Sequence, residues 1–434
     1  MYNAFIRMNK IKNFESLSVT PARRHLLSIA EAGLQAVDTQ DFFKKNLSLI
    51  GNTLSVDGKT FKLPGDGRVI IVAVGKSSTQ AGIALEKILG SQLSAGIILD
   101  TDIQEDPAIL TPYRGTHPFP SDANRKATKE IITLLQSLSE KDFVIFVISG
   151  GGSVLLSQSD APISQEVGII KELFKKGATI QELNTVRKHL SLARGGFLAQ
   201  YAHPARSLAL ILSDVPGNDI SFIASGPTVK DATTIRDAQE VLNKYEIAEM
   251  FSTLSFIETP KEEKYFKNIA NILFLSNTIA LKAMEEKARE LRLFPRIITD
   301  ALSGEASEVG KHIAQAIKGL PPGSVLLYGG ETTVTFADVK GAGGRNQELA
   351  LSALVHLDSA SALLSLASDG QDNNLHAGAL ADLSSLKKAQ ELGLYPETYL
   401  TSHDSFPFWE KTHDFISTGA TGSNISDLVI AIKS

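Results

Sequence analysis

The chain has 434 residues, enough for two or three domains with a sizeable core, and its 43% hydrophobic and 21% charged residues are ordinary for a water-soluble globular protein. Its 43 Lys and Arg against 48 Asp and Glu leave a net charge of −5, with no basic excess for nucleic acid, and the lack of cysteine excludes disulfides, thiolate metal sites and a cysteine nucleophile. The basic N-terminal stretch MYNAFIRMNKIKNF has no signal-peptide apolar core and no run is long enough to span a bilayer, so the expected location is the cytoplasm, with no membrane partner.

In chain order, Leu26, Leu27, Ala30 and Leu34 fall at helical spacing and predict an amphipathic helix over residues 22 to 36. Residues 68 to 74 (RVIIVAV) read as a buried strand that ends at Gly75-Lys76-Ser77-Ser78 and is followed by a helix. A strand at 95 to 100 and a helix at 122 to 138 follow. The next strand and its turn, FVIFVISGGGSVLL at 143 to 156, organise this half of the chain. Gly150, Gly151 and Gly152 permit backbone angles closed to other residues and a close ligand approach, and Ser153 is placed to open a helix. Such a turn favours phosphate or carboxylate, although a tight strand-to-helix turn alone would read the same way.

Helices are expected at 163 to 176 and 181 to 202, the second broken at Gly195-Gly196. A strand at 207 to 212 runs into SDVPGND, and a helix lies near 233 to 247. Strand and helix alternation predicts a parallel α/β sheet, whose ligands bind at the carboxyl ends of the strands. The pattern loosens from 251 to 268, where a boundary is expected between a domain at 1–250 and one at 268–434. Alternation then restarts: a strand at 272 to 276, a helix to Leu293, a strand at 296 to 299 and a helix capped by Ser303 to about 318. A strand at 324 to 328 with a partner at 332 to 336 precedes the glycine loop GAGGRNQE and its helix, and strands at 362 to 368 and 427 to 433 complete the chain.

Lys76 stands where a strand meets a helix; GxxxxGK[ST] fails because residue 70 is Ile70, yet a lysine there opposes the helix dipole and suits a transferring phosphoryl group. Arg345, in Gly343-Gly344-Arg345-Asn346, likewise calls for an anion that a planar guanidinium can grip. Asp214 and Asp219, and Asp369 and Asp372, flank turns after apolar strands; such carboxylates hold Mg²⁺ or accept a hydroxyl proton, and also serve turns locally. Arg187, Lys188 and His189 adjoin on one helix, so at most two face a crevice. His117, between Thr116 and Pro118, reads as structural. HExxH, GxSxG and GxGxxG are all absent.

Taken together, AVGKSS at 73 to 78, RGTHPFPSD at 114 to 122, VISGGGSVLL at 147 to 156 and NTVRKHLSLARGGFLA at 184 to 199 resemble the glycerate 2-kinase family, the large two-domain type. LILSDVPGNDISFIASGPT at 210 to 228, GGETTVTF at 329 to 336, GGRNQELAL at 343 to 351 and DFISTGATGSNISDLVI at 414 to 430 continue the series over almost the whole chain. The resemblance implies a Rossmann-like N-terminal α/β/α domain, a C-terminal α/β domain and an active site in the cleft between them. It implies ATP-dependent phosphorylation of D-glycerate at its 2-hydroxyl with Mg²⁺, small-molecule partners only, and a homodimer as a possibility. Lys76 matches the family's essential lysine and Arg345 its essential arginine. Asp214 is the expected proton acceptor or metal ligand, with Asp369 and Asp372 as further ligands. Gly150, Gly151, Gly152, Ser153, Arg187, Ser225, Gly226, Glu331 and Asn346 are the expected substrate and phosphate contacts. The segment SDGQDNNLHAGALAD at 368 to 382 departs from the family pattern, being one residue shorter and lacking its Gly-Pro and third acidic residue, and Asn218 replaces a common Asp. These departures bear on substrate identity and metal ligation. Two other readings stand beside the kinase: an NAD(P)-dependent hydroxypyruvate reductase, disfavoured by the missing GxGxxG, and a non-catalytic nucleotide or sugar-acid binding protein of the same fold.

Overall fold

The computed structural model describes residues 9–251, 254–335 and 341–434. These fall into two compact units that do not part at 251 to 268: one is formed by Thr39–Ser213 with Asn218–Leu275, the other by the chain up to Asp38, Asp214–Gly217 and Ser276–Ser434. Among the described residues no helix is long and apolar enough to cross a membrane.

In the first unit, β1 (Leu47–Ile50), β2 (Thr53–Val56) and β3 (Lys59–Lys62) form a small antiparallel sheet. Asp57 and Gly58, with φ of 47° and 72°, make the β2–β3 turn; the Asp-Gly pair is the hairpin signal that apolar periodicity overlooks. Six strands follow: β4 (Val69–Val74), β5 (Ala95–Asp100), β6 (Thr111–Arg114), β7 (Phe143–Ile148), β8 (Arg206–Leu212) and β9 (Ile269–Leu275). Every pair is parallel and the order is β6-β5-β4-β7-β8-β9. This is the 3-2-1-4-5-6 order of a Rossmann sheet, as expected. All residues of β4 and β7 are buried, as their unbroken apolar runs require of central strands covered on both faces. The order reverses between β4 and β7, so the turns after these two strands flank the switch point where such sheets bind ligands. The expected helix at 181 to 202 is two, Ile180–Lys188 and Phe197–Ala202, because Gly195 and Gly196 take φ of 56° and 93° between them.

The second unit carries a mixed sheet of β10 (Phe294–Leu302), β11 (Ser324–Gly330), β12 (Ser361–Ala367), β13 (Gly378–Ala381), β14 (Phe415–Ile416) and β15 (Asp427–Lys433), in the order β10-β11-β15-β12-β13-β14. Only β10 and β11 pair in parallel. The expected strand at 332 to 336 is reduced to a single bridge from Thr333 to Glu305, and Phe336 lies outside the described residues. The helix expected to start from a Ser303 cap is Ala306–Lys318, two residues later, with Glu305 before it accepting hydrogen bonds from Thr335 instead.

The helix Pro21–Ala36 belongs to this unit although it opens the chain. Gly33 lets it approach Asn277–Glu290 so closely that an added Cβ would lie 2.8 Å from Met284 Cγ. Arg23, wholly buried on the same helix, donates to Asp382 at 2.6 and 2.8 Å and to Asp414 at 2.6 Å. A buried charge without those partners would cost several kcal/mol (about 3–5). This ion cluster ties the helix Pro21–Ala36 to residues of the C-terminal half.

Candidate active site

The turn after β4 is tied to the turn after β7 through the backbone. The Lys76 N–H donates to the Gly150 carbonyl at 2.8 Å, and the Ser149 hydroxyl donates to the Lys76 carbonyl at 2.5 Å. Gly75 has φ of 119° and passes so near Ser149 that a Cβ would lie 2.3 Å from Oγ and 2.5 Å from the carbonyl oxygen. Only glycine makes that approach. Lys76, half-buried, therefore leaves a rigid backbone junction just before the helix Ser78–Leu89. In the glycine triplet, Gly151 is left-handed at φ of 79° and the helix begins at Gly152, so Ser153 sits inside a single helical turn, Gly152–Leu155, rather than capping it.

The wall beside this turn is built from the helix Ile180–Lys188 and the Ser225-Gly226 turn. Ser225 Oγ donates to Asn184 Oδ1 at 2.8 Å and lies within hydrogen-bond distance of Ser153 Oγ, at 2.9 Å, with Ser225 and Gly226 both left-handed at φ of 59° and 58°. Of the three adjacent basic residues on the helix, Lys188 pairs with buried Asp231 at 3.1 Å, and His189 bonds the Ile257 carbonyl at 2.8 Å and lies 3.7 Å from Asp231. Both are structural. Arg187 lies over the Phe174 ring at 6.0 Å and has no ion pair among the described residues. Burial, then the charge of Arg194, lowers its pKa to about 10. His117, set aside on sequence grounds, faces the same turn: a Cβ on Gly151 would lie 3.4 Å from Lys76 Cγ and 3.6 Å from His117 Cδ2. Crowding by surrounding protein atoms, then the charges of Lys76 and Arg187, lower the pKa of this solvent-accessible ring to about 4.

In the other unit, Arg345 opens the helix Arg345–His356 and is held by carboxylates. Its Nε donates to Asp427 Oδ2 at 2.5 Å, and its Nη2 donates to Asp427 Oδ1 at 3.0 Å and to Glu331 Oε1 at 2.9 Å. Nη1 has no hydrogen-bond partner among the described residues, and the side chain is 34% exposed. Although burial alone would lower it, the charge of Asp427 keeps the guanidinium pKa above its ordinary value, while burial pushes that of Asp427 up. Sequence reasoning missed Asp427; its only signal was a carboxylate opening an apolar strand.

Asp372 has a different place from the expected metal ligand. Its carboxylate accepts from the backbone N–H of Asn346 at 3.1 Å and of Gln347 at 2.9 Å, capping the Arg345 helix, and from both side-chain amides. Burial, then the nearby Asp427 charge, pushes its pKa up to about 6. Asn346 is also buried and engaged, accepting from Ser365 Oγ at 2.6 Å, so it supports the helix start instead of facing a ligand. Asp219 accepts from Ser221 N–H two residues on, a local turn. Asp214 and Asp369 are half-buried: Asn424 Nδ2 donates to Asp214 at 3.1 Å, and Thr421 N–H to the Asp369 carbonyl at 3.3 Å. No group of three or more His, Asp or Glu side chains is placed to share a metal ion among the described residues. Two carboxylates with phosphate oxygens and waters are the usual Mg²⁺ arrangement.

Residues 25–255 match the family described as a domain of unknown function (DUF4147), and residues 324–427 match the MOFRL family. A glycerate 2-kinase of Pyrococcus horikoshii is 34% identical over 94% of this chain and 98% of its own length, and a D-glycerate 2-kinase of Thermotoga maritima is 35% identical over 90% and 97%. The chain belongs to the glycerate 2-kinase family. The crystal structure of glycerate kinase from Thermotoga maritima covers 94% of the chain and 98% of its own, with a TM-score of 0.80 at 33% identity. A relative from Agrobacterium vitis, 38% identical over 83% of this chain, is named a putative hydroxypyruvate reductase. The glycerate 2-kinase resemblance drawn from the sequence strings thus holds across both units.

Proposed function

We propose that this chain transfers the γ-phosphoryl group of ATP to the 2-hydroxyl of D-glycerate, giving 2-phospho-D-glycerate and ADP. The observation that carries the reading is Lys76, fixed by Gly75 and Gly150 at the switch point of a 3-2-1-4-5-6 sheet, in a chain related over nearly its full length to glycerate 2-kinases. Phosphoryl transfer asks the protein mainly to position groups and to neutralise charge. Lys76 supplies a flexible point charge to the γ-phosphoryl oxygens, and Arg345 offers its Nη1 edge to an anionic oxygen of the substrates while Asp427 and Glu331 hold the guanidinium plane. The 2-hydroxyl oxygen attacks phosphorus, its proton passes to Asp214, and the bond from the γ-phosphorus to the bridging oxygen of ADP breaks. Gly150, Gly151, Gly152, Ser153, Ser225 and Gly226 line the approach to Lys76. Mg²⁺, held by Asp214 and Asp369 with phosphate oxygens, would offset charge on the leaving group.

ADP release measured over D-glycerate, tartronate and related acids, with the position of the phosphate in the product determined, tests the reading. The expected product is 2-phosphoglycerate; a protein that releases no ADP with any of these acids refutes it. The Agrobacterium vitis relatives favour a second reading, reduction of hydroxypyruvate. Oxidation of NADH by hydroxypyruvate on the pure protein would establish it. The Gly75-Lys76-Ser77 turn lacks the glycine spacing that a dinucleotide pyrophosphate requires, so no oxidation is expected.

A further inference from the structure

We propose that His117 and Arg187 form the subsite that takes the carboxylate of the acceptor acid, and so present its 2-hydroxyl, in preference to its 3-hydroxyl, to the phosphoryl group beside Lys76; this rests on the kinase reading above. Three observations converge. The absent Cβ of Gly151 would lie 3.9 Å from His117 Nε2 and 3.4 Å from Lys76 Cγ, so both side chains border one patch of glycine backbone. One narrow crevice is lined by Pro118, Phe119, Pro120, Ser153 and Arg187 together with apolar side chains and Glu166, whose carboxylate is paired with Arg194 at 2.6 Å, so residues next to His117 share this crevice with the glycine turn and the Arg187 helix. Finally, neither His117 nor Arg187 has a hydrogen-bonded or ion-paired side-chain partner among the described residues, although the neighbouring cations Lys188 and Arg194 are paired with Asp231 and Glu166 at 3.1 and 2.6 Å.

The chemistry selects a carboxylate. A planar guanidinium and a ring N–H suit its two oxygens, and in a 2-hydroxy acid the reacting oxygen sits on the carbon bonded to that group. Anchoring the carboxylate therefore fixes the 2-hydroxyl, while the 3-hydroxyl remains on a freely rotating arm. Charge agrees with this. Lys76 and Arg187 act on His117, and Lys171 lies 4.7 Å above the ring of Phe119 on the same loop. An anion seated among them offsets the cationic charges that, after burial, hold the His117 pKa down, so binding raises the ring's affinity for a proton.

Steady-state kinetics of His117→Asn and Arg187→Met, with D-glycerate, glycerol and ATP varied in turn, test the subsite. Each substitution is expected to raise KM for D-glycerate by at least ~10-fold while KM for ATP stays within about twofold, and to narrow the preference for D-glycerate over glycerol. Unchanged KM for D-glycerate, or a rise confined to ATP, overturns the proposal. Titration of the His117 ring by NMR, its signal identified by its loss in His117→Asn, gives a readout free of turnover. D-glycerate should move the ring pKa upward, and a ring that titrates identically with and without the acid refutes the subsite. Wild-type turnover with unaltered variants would sink the subsite alone. A ring shifted by D-glycerate in a protein with no kinase activity would instead refute the kinase reading and leave the carboxylate subsite standing.

Discussion

The surroundings of Lys76 and Arg345 differ in what holds the cation. Lys76 is placed by main chain: a left-handed Gly75, the Lys76 N–H on Gly150 and the Ser149 hydroxyl on the Lys76 carbonyl. Arg345 is placed by its own charge, through three hydrogen bonds to Asp427 and Glu331, and its helix is capped by Asp372. A side chain held through its backbone can be removed without disturbing the fold. One held through its head group cannot, because the buried carboxylate it neutralises is left behind.

That contrast gives the largest expected effect to Arg345→Ala, which should abolish turnover and also cost about 3–5 kcal/mol of stability in urea denaturation. Adding Asp427→Asn should recover most of the stability and none of the activity; a single variant as stable as wild type would break the comparison. Lys76→Ala should lower turnover by ~10²–10³-fold while shifting stability by less than about 1 kcal/mol. A large loss of stability there would show that the ammonium also holds structure. Gly75→Ala sharpens the claim of a backbone-built junction: its Cβ would meet Ser149 Oγ at 2.3 Å, with an expected loss of ~1–3 kcal/mol, whereas Gly65→Ala, with open space around it, should be near neutral.

The smallest effect concerns pH. The folded pKa of His117 is lowered from 6.5 to about 4, so its contribution to stability is present above pH 6.5 and is lost as pH falls through about 4. In His117→Asn the decline of the urea midpoint across that window should be shallower than in wild type. An unchanged slope would remove Lys76 and Arg187 as electrostatic neighbours of the ring.

Buried apolar runs marked β4, β7, β8 and β15 in the sequence, since a strand covered on both faces must be apolar throughout, and the glycines and cations at their ends marked Lys76 and Arg345. Local pattern also specified most helices. It left out β13 and β14, which are too short for periodicity to show, and the β1 to β3 sheet, where turn chemistry and not apolar spacing held the signal. Asp372 and Asn346 looked like ligands because composition cannot tell a carboxylate that faces solvent from one spent on a helix end. His117 looked inert for the converse reason, since its cationic neighbours come from distant parts of the chain.

By itself, the order of residues determined the alternation of strands and helices, the two cations and the glycine turn, all of which follow from periodicity and backbone freedom within a few neighbours. Only the tertiary structure decided that Arg23 pairs with acids 359 and 391 residues away, that Asp427 holds Arg345 from 82 residues on, and that Asp372 is spent on the start of the Arg345 helix. Charge partners are chosen by distance in space, and folding sets that distance after the local pattern has been written.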